Sequence, residues 1–476
     1  MSEMTNDEQR APGSDPKDYV QDGAVMLGCS HQGAQLVPEA IELRLANRHG
    51  LITGATGTGK TVTLQVLAEG FSAAGVPVFA PDIKGDLAGV AVPGSMKQVL
   101  VDRAQEIGLV GYGNAAFPVS FWDLHGERGH PVRATIDGMG PVLLSRLLEL
   151  TEPQEGVLNI AFRWAEDERE THPRMLIRNL PDLRAVLDEI SQRRSELRSK
   201  YGNIAPQTIG VIQRRLLVLE EQGADKFFGE PALDIADLMR VTPDGRGVIN
   251  LLAADKLMNT PKLYATFLLW LLSELFARLP EIGDPEKPVL VFLFDEAHLL
   301  FDDASPPVLE QIERVTRLIR SKGVGVFYVT QSPADVPDRV SAQLGNRIQH
   351  ALRAFTPREQ KAIRAAAETF RPNPALDTER VIQELKVGEA LVSVLHNKGE
   401  PSIVQRTLIR PPMSRVGPLT DAERAALLQA DQINGNKYTK LVDTKSAADL
   451  LAERGTAVGQ VKEKLRRFGN LFGIKS

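Results

Sequence analysis

Apolar residues follow two different patterns along most of the chain. Continuous apolar runs, such as 289–294 and 324–330, are typical of strands that are buried on both faces of a sheet. Elsewhere apolar residues recur with helical spacing, as they do over 61–74, and this predicts helices. A strand over 51–53, the helix over 61–74 and a strand over 76–80 form a predicted βαβ unit, which implies a parallel sheet with a right-handed crossover.

The middle of the chain has a different pattern. Helical spacing, with charges between the apolar positions, recurs in 142–150, 182–200 and 206–222, and no strand-like run interrupts it. Strand patterns resume over 247–252, 288–294, 323–329, 348–353, 389–395 and 402–408. We therefore predict a disordered polar lead over 1–22, the first part of an α/β core over 23–125, a helical insertion over 126–245, the second part of the core over 246–412, and a basic helical tail over 413–476.

The composition excludes several classes of protein. Hydrophobic residues make up 43% and charged residues 25% of the 476 residues, and these ordinary proportions exclude a wholly disordered chain. Aromatic residues, at 5%, argue against a stacking surface for single-stranded nucleic acid, whereas the net charge of −5 is compatible with a basic DNA channel inside an acidic shell. No apolar run reaches the length of a membrane span, and the single cysteine, Cys29, excludes disulfides within the chain and Cys-based zinc sites. We therefore expect a cytoplasmic protein.

A phosphate-binding loop is predicted after the first strand of the βαβ unit. We predict that a nucleotide is bound by Gly54, Ala55, Thr56, Gly57, Thr58, Gly59, Lys60, Thr61 and Val62. The first eight match the pattern G-x-x-x-x-G-K-S/T, in which glycines aim backbone N–H groups at phosphate oxygens and the helix N-terminus adds partial positive charge. Lys60 is expected to reach the β- and γ-phosphates of ATP, and the Thr61 hydroxyl to bind Mg²⁺. An ordinary Gly-rich turn is the alternative.

Two carboxylates follow the buried strand over 289–294. Asp295 is expected to hold Mg²⁺ and Glu296 to polarise the attacking water, because hydrolysis needs both functions beside the phosphate loop. Gln331 follows the next strand, where its amide could hydrogen-bond the γ-phosphate and the water. The alternatives are a solvated strand end for the two carboxylates and a polar strand terminus for Gln331.

Hydrolysis of ATP also needs positive charge on the γ-phosphate, which an arginine from a neighbouring subunit often supplies. Arg320 ends the helix before the strand over 323–329 and is the first candidate, and Arg347 and Arg353 are candidates for the same role. The alternative for Arg320 is a solvated helix end, where the helix dipole favours cations.

Three further polar residues have an ordinary structural alternative. Asp82 could add to the metal shell and Lys84 could contact phosphate or DNA, but a turn rich in Asp and Gly also ends strands in this way. His298 could link the nucleotide site to the next loop, or it could make only a local hydrogen bond. Cys29 is interpreted as a packed side chain.

The last predicted helix is amphipathic. Lysines and arginines lie beside an apolar stripe made of Val461, Leu465, Phe468 and Phe472. Such a helix could contact DNA, anionic lipid or a neighbouring subunit, or it could pack on the core. Nothing in the sequence supports the membrane contact in particular.

These motifs resemble those of the HerA-like ATPase group, and most closely its bacterial YjgR-type branch, which is related in architecture to the FtsK and VirB4 motor ATPases. The resemblance is carried by residues 51–65, 81–87, 140–165, 291–301 and 319–357. It implies a RecA-like P-loop NTPase core with an additional strand, assembled into a homo-oligomeric ring, usually a hexamer, that pumps double-stranded DNA with ATP. It also implies that Glu296 is the catalytic glutamate, Gln331 the sensor and Arg320 the arginine that acts in trans.

Several functions are compatible with such a core. The first hypothesis is a DNA-dependent ATPase, a translocase or helicase, and the alternative is an ATP-driven protein or assembly remodeller that does not act on DNA. A nucleotide-gated scaffold is a third, against which Glu296 weighs because binding alone needs no such residue. Archaeal-type members of the group carry an N-terminal β-barrel that docks a nuclease, whereas about fifty residues precede the phosphate loop here, so we expect no nuclease partner. A two-lobed helicase is excluded, since the arginine-rich motifs of a second lobe do not occur.

Overall fold

The structure is a computed structural model and describes residues 15–302, 304, 306–354, 356–431, 437–440, 442 and 445–454. These residues divide into two units. The first unit contains 15–123, 127–130 and 234–431, and the second contains 124–126, 131–233 and the described residues from 437 onward.

The strands and α-helices that the structure describes are distributed over the two units. The strands are β1 (Val20–Gln21), β2 (Ala24–Gln32), β3 (Gln35–Glu42), β4 (Gly50–Thr53), β5 (Val78–Asp82), β6 (Val119–Asp123), β7 (His130–Pro131), β8 (Ile249–Ala253), β9 (Leu290–Phe294), β10 (Val324–Thr330), β11 (Asn346–Gln349), β12 (Glu389–Ser393), β13 (Leu395–His396), β14 (Glu400–Pro401) and β15 (Gln405–Ile409). The α-helices are α1 (Leu43–Ala46), α2 (Lys60–Ala73), α3 (Gln98–Glu106), α4 (Ile136–Leu147), α5 (Glu152–Arg169), α6 (Leu180–Gln192), α7 (Arg194–Tyr201), α8 (Pro206–Glu221), α9 (Ala224–Phe227), α10 (Pro261–Arg278), α11 (Pro306–Ile319), α12 (Asp338–Ser341), α13 (Pro357–Glu368), α14 (Thr378–Glu384) and α15 (Asp421–Ala430).

One large sheet organises the first unit. Its strand order is β1-β2-β15-β12-β11-β4-β10-β9-β5-β8-β6-β7, and β3 pairs with β2. The strands from β11 through β4, β10, β9, β5 and β8 to β6 run parallel to one another, whereas β12, β15 and β2 pair antiparallel. β9 and β10 are buried along their whole length, as their continuous apolar runs predict. The predicted α/β fold class with a mostly parallel sheet is confirmed.

The parallel register brings the ends of four strands to one edge of this sheet. Thr53 of β4 pairs with Thr330 of β10, and Phe294 of β9 pairs with Tyr328 of β10. β5 runs beside β9 in the same direction. The segments that follow β4, β5, β9 and β10 therefore meet at the carboxyl edge, where ligands bind in open α/β sheets.

The amino-terminal region differs from the prediction. Residues 15–22, predicted to belong to a disordered lead, form a 3₁₀ turn over Pro16–Tyr19 and then β1, which pairs antiparallel with β2. Tyr19 is buried, and the guanidinium of Arg410 lies 4.5 Å from the centre of its ring. This buried cation–π contact holds the segment on the core. The rest of the predicted lead, 1–14, lies outside the described residues.

The second unit contains α4 to α9, in the region where the sequence predicts a helical insertion. α5 and α6 begin with capping boxes at Thr151 and Asn179, in which side chain and backbone satisfy each other's polar groups. The segment predicted as one helix over 182–200 is two helices, because the chain leaves the helical conformation at Arg193 (φ −92°, ψ 13°). α4 bends at Gly140, whose φ is 75°.

The predicted tail over 413–476 is divided between the units. α15 belongs to the first unit, whereas the segment after residue 444 belongs to the second. There the carboxylate of Asp182 accepts hydrogen bonds from the Ser446 hydroxyl and, at 3.0 Å, from the Ala448 N–H. The amphipathic helix predicted over 461–472 lies outside the described residues. Among the helices that the structure describes, none combines the length and the apolar character that a membrane span needs.

Candidate nucleotide-binding site

The loop between β4 and α2 has a backbone conformation that favours glycine. Gly54, Gly57 and Gly59 have φ values of +153°, +78° and +115°, which other residues rarely adopt. A Cβ atom on Gly54 would lie 2.5 Å from the Cβ of His350, so a larger residue does not fit there. Gly59 precedes α2 and provides no side-chain cap for the first N–H groups of the helix. Such N–H groups bind phosphate oxygens at helix N-termini.

Neighbouring segments hold this loop in place. The Ala55 N–H donates to the carbonyl of Ala351 at 2.8 Å, and the Gly388 N–H donates to the carbonyl of Thr58 at 3.2 Å. The Thr58 hydroxyl donates to the carbonyl of Ala55 at 2.7 Å. The loop is therefore tied to the end of β11 and to the start of β12, which fixes its shape as a cradle for an anion.

His350 is a residue of this site that the sequence does not reveal. Its buried ring places Nδ1 2.9 Å from the carbonyl of Glu389 and Nε2 2.9 Å from the hydroxyl of Thr63. Because a carbonyl only accepts, Nδ1 carries the hydrogen and Nε2 accepts from Thr63. Burial, together with the nearby charge of Lys60, lowers the pKa of His350 to about 4. The neutral ring therefore joins the first turn of α2 to β12.

Lys60 and Thr61 begin helix α2. The Lys60 ammonium donates to the carbonyls of Gly54 and Ala55 in its own loop, the latter at 3.1 Å. Burial lowers the pKa of Lys60, and the two carboxylates after β9 oppose that shift. The ammonium group therefore lies on the loop, within electrostatic influence of these carboxylates, where the β- and γ-phosphates of a bound nucleotide would meet it.

Asp295, directly after β9, is a buried acid. Its Oδ1 accepts from the Glu296 N–H at 2.9 Å, and the Tyr264 hydroxyl donates to its backbone carbonyl at 3.3 Å. Burial and the adjacent charge of Glu296 raise the pKa of Asp295 to about 6. A bound cation would favour the ionised carboxylate, which is the form that binds Mg²⁺.

Glu296 has an unusual backbone and a carboxylate oxygen to which no described residue donates a hydrogen bond. Its φ and ψ are 49° and 47°, in the left-handed region that is uncommon for a residue with a side chain. Oε1 lies 3.5 Å from the Lys84 ammonium, and Oε2 lies 3.5 Å from Nδ1 of His298. Oε2 is buried and has no hydrogen-bond partner among the described residues. This oxygen can therefore accept a proton from a water molecule beside it.

Gln331 and Asp82 end the strands on the two sides of β9. Gln331 follows β10 and its side chain is exposed, at the carboxyl edge between β4 and β9. Asp82 ends β5, and its carboxylate accepts from the N–H groups of Leu87 at 3.3 Å and Ala88 at 3.0 Å. The Asp82 side chain therefore shapes the following turn, which is the alternative to a role in the metal shell.

Arg320 lies at the opposite edge of the sheet. It precedes β10, whose seven residues separate it from Gln331 by roughly 20 Å at about 3.3 Å per residue. Its guanidinium donates to Oδ1 of Asp284 at 3.0 Å. The structure therefore does not bring Arg320 to the phosphate loop of its own chain.

Arg347 and Arg353, the other two arginine candidates, lie in and after β11. The guanidinium of Arg347 donates to the carbonyl of Ser341 at 3.0 Å, and burial lowers its pKa. The guanidinium of Arg353 donates to the carbonyl of Gln383. Both groups therefore have backbone partners within their own subunit.

The oxygen donors at this edge suit magnesium. Mg²⁺ is usually held by one or two protein oxygen ligands together with the phosphates of a substrate. Thr61 provides a hydroxyl and Asp295 a carboxylate. Within the described part of the chain, no group of three or more His, Cys, Asp and Glu side chains could hold a metal ion. A magnesium ion at this site would therefore depend on the bound nucleotide.

The chain resembles a known protein family and several solved structures. Residues 29–468 match the family model described as "Helicase HerA-like C-terminal". Among solved structures, the bacterial conjugative coupling protein TrwBdeltaN70 is 14% identical over 80% of this chain and 90% of its own, with a TM-score of 0.50. Plasmid coupling protein TrwB in complex with the GTP analogue GDPNP is 14% identical over 83% of this chain and 98% of its own, with a TM-score of 0.51. VirB4 of Thermoanaerobacter pseudethanolicus is 14% identical over 82% of this chain and 96% of its own, with a TM-score of 0.49.

A search among curated proteins finds no significant match. At 14% identity the likeness to the two TrwB structures concerns the fold alone. It confirms the predicted α/β fold of the core.

Proposed function

Because the chain belongs to the HerA-like helicase family, as its motifs predict, we propose that it is an ATP-hydrolysing motor that moves double-stranded DNA through a ring of identical subunits. The observation that carries this proposal is the convergence at one sheet edge of the loop 54–61, Asp295, Glu296 and Gln331. A site that only binds a nucleotide has no need of a buried glutamate oxygen to which no described residue donates a hydrogen bond. The family usually forms hexamers, and we extend that stoichiometry to this chain.

Each group at this edge has a distinct task in the proposed reaction. Backbone N–H groups of 54–61 and the Lys60 ammonium bind the triphosphate. Thr61 and Asp295 hold Mg²⁺, which neutralises charge that develops on the phosphates. Glu296 takes a proton from the attacking water, and Gln331 hydrogen-bonds that water and the γ-phosphate.

Arg320 completes the site from the next subunit. Its distance from the phosphate loop of its own chain excludes action in cis, and an arginine at a subunit boundary couples hydrolysis in one subunit to the position of its neighbour. Arg320 pairs with Asp284 at the surface, where the two side chains are 39% and 60% exposed. Because such exposed pairs are weak, Arg320 can leave Asp284 and bind another anion, such as a phosphate.

The trans arrangement predicts complementation between two inactive variants. Arg320→Ala retains Glu296, and Glu296→Gln retains Arg320, so a mixed ring contains sites in which both groups are intact. We expect each variant alone to turn over ATP at less than ~10% of the wild-type rate and the mixture to recover activity. The measurement is steady-state phosphate release at several mixing ratios. Arg317→Ala, an exposed arginine on α11, is the matched control and should remain active. An inactive mixture at every ratio would argue against action in trans.

The motor function is tested by ATP turnover with and without linear double-stranded DNA. We expect DNA to stimulate phosphate release by the wild-type protein and to leave Glu296→Gln inactive. Turnover that depends on Glu296 but is indifferent to DNA would favour the remodeller instead. Absence of turnover under both conditions would contradict hydrolysis itself.

A further inference from the structure

Lys84 lies beside the proposed catalytic glutamate, in the turn that follows β5. It follows β5, which runs parallel to β9 with Val78 level with Val291. Continued along both strands, this register brings Asp82 level with Asp295. The Lys84 ammonium lies 3.5 Å from Oε1 of Glu296.

The backbone that carries Lys84 is anchored on both sides. The carboxylate of Asp82 accepts from the N–H groups of Leu87 and Ala88, and the carbonyl of Asp82 accepts from the Ala254 N–H at 3.1 Å. Gly85 supports the turn with a φ of +77°. The side chain of Lys84 is nevertheless 54% exposed. A fixed turn therefore presents a long cationic side chain that can adjust its position.

The contact with Glu296 adds too little to folding stability to explain why a lysine stands at position 84. An ion pair at this separation with one partner half exposed contributes little to folding stability. An ammonium group has three N–H donors, and the contact with Glu296 uses at most one of them. The remaining donors lie at the carboxyl edge, on the β5 side of Glu296, whereas the phosphate loop lies across β9 and β10 on the other side. The proposed γ-phosphate position, next to the attacking water, lies between these two sides.

We propose that Lys84 is a positioning and specificity residue whose ammonium joins Glu296 to the terminal phosphate of ATP. This inference rests on the proposed function, because it needs a nucleotide on 54–61 and Glu296 beside the water. A nucleoside diphosphate lacks the phosphate that Lys84 contacts, so Lys84 discriminates ATP from ADP. Because it contacts Oε1, it also leaves Oε2 available to the attacking water.

The test compares equilibrium binding of a non-hydrolysable ATP analogue and of ADP, each with Mg²⁺, to the full-length protein. For Lys84→Met we expect binding of the analogue to weaken by about tenfold, the worth of a charge-assisted hydrogen bond, and binding of ADP to change less than twofold. Lys84→Arg should keep most of the discrimination. Lys97→Met, an exposed lysine before α3, is the matched control and should bind both nucleotides as the wild type does.

The outcomes separate the two proposals. If Lys84→Met weakens binding of both nucleotides equally, or of neither, the role of Lys84 is overturned. The proposal that 54–61 binds a nucleotide is unaffected by that result. A wild-type protein that binds neither nucleotide would overturn the proposed function itself. Selective loss of analogue binding in Lys84→Met, with ADP binding retained, supports both.

Discussion

Substitution of Glu69 by alanine is expected to lower the free energy of unfolding by about 3–5 kcal/mol, because it removes the carboxylate that neutralises a buried arginine. Glu69 lies on α2, and its Oε2 lies 3.0 Å from a guanidinium nitrogen of Arg410, with both side chains 1% exposed. The same carboxylate accepts from the N–H groups of Met413 at 3.1 Å and Ser414 at 3.0 Å. The substitution therefore leaves one charge and two backbone donors unsatisfied in the core.

The measurement is the midpoint of denaturant unfolding, compared between Glu69→Ala and wild type. Asp255→Ala is the matched control, since it removes the partner of Arg128 in a pair whose side chains are 33% and 38% exposed. Exposed pairs of this kind contribute ~0–1 kcal/mol. A Glu69→Ala midpoint no lower than that of Asp255→Ala would show that the buried pair does not hold α2 to the segment that follows β15.

The role of Glu69 also shows where sequence reasoning stops. In the helix predicted over 61–74, a glutamate between apolar positions reads as part of a solvated face. Its partner, Arg410, is 341 residues away in the chain, and no local pattern connects the two. The two residues come together only when the segment that follows β15 packs against α2 in the folded structure.

The parallel strands could be predicted because burial on both faces leaves a continuous apolar run. β9 and β10 are the clearest cases, and their neighbours β4 and β5 follow from the βαβ spacing. β2 and β3 escape this reasoning because buried polar residues interrupt their pattern. The Ser30 hydroxyl donates to the Glu39 carboxylate at 2.8 Å, and both residues are buried. From the sequence alone, each of these polar residues is assigned to the surface, because only the folded sheet pairs one with the other.

Some residues of the candidate site could be predicted from the sequence and others could not. The loop 54–61, Asp295, Glu296 and Gln331 could be predicted because each follows a strand whose apolar run is legible in the sequence. His350 could not, since its partners Thr63 and Glu389 lie 287 and 39 residues away and its burial depends on both. The roles of the predicted residues in hydrolysis stay predictions, and substitution of Glu296 tests the chemical step most directly.

Substitution of Glu296 by glutamine is expected to slow ATP turnover by about 10²–10⁴-fold, the usual contribution of a positioned general base. Glutamine keeps the size and shape of the side chain, but its neutral amide cannot take a proton from water at neutral pH. The left-handed backbone of Glu296 and its contacts with Lys84 and His298 fix the carboxylate at the sheet edge.

Nucleotide binding separates this loss of chemistry from a loss of the site. Lys60 and Asp295 remain in Glu296→Gln, so a labelled ATP analogue should bind within a few fold of wild type while phosphate release falls. Glu313→Gln, a partly exposed glutamate on α11, is the matched control and should leave both unchanged. Turnover close to wild type in Glu296→Gln would assign the proton transfer to another group. Loss of analogue binding as well would place Glu296 among the residues that bind the nucleotide, because a general base contributes to the transition state and not to affinity for the ground state.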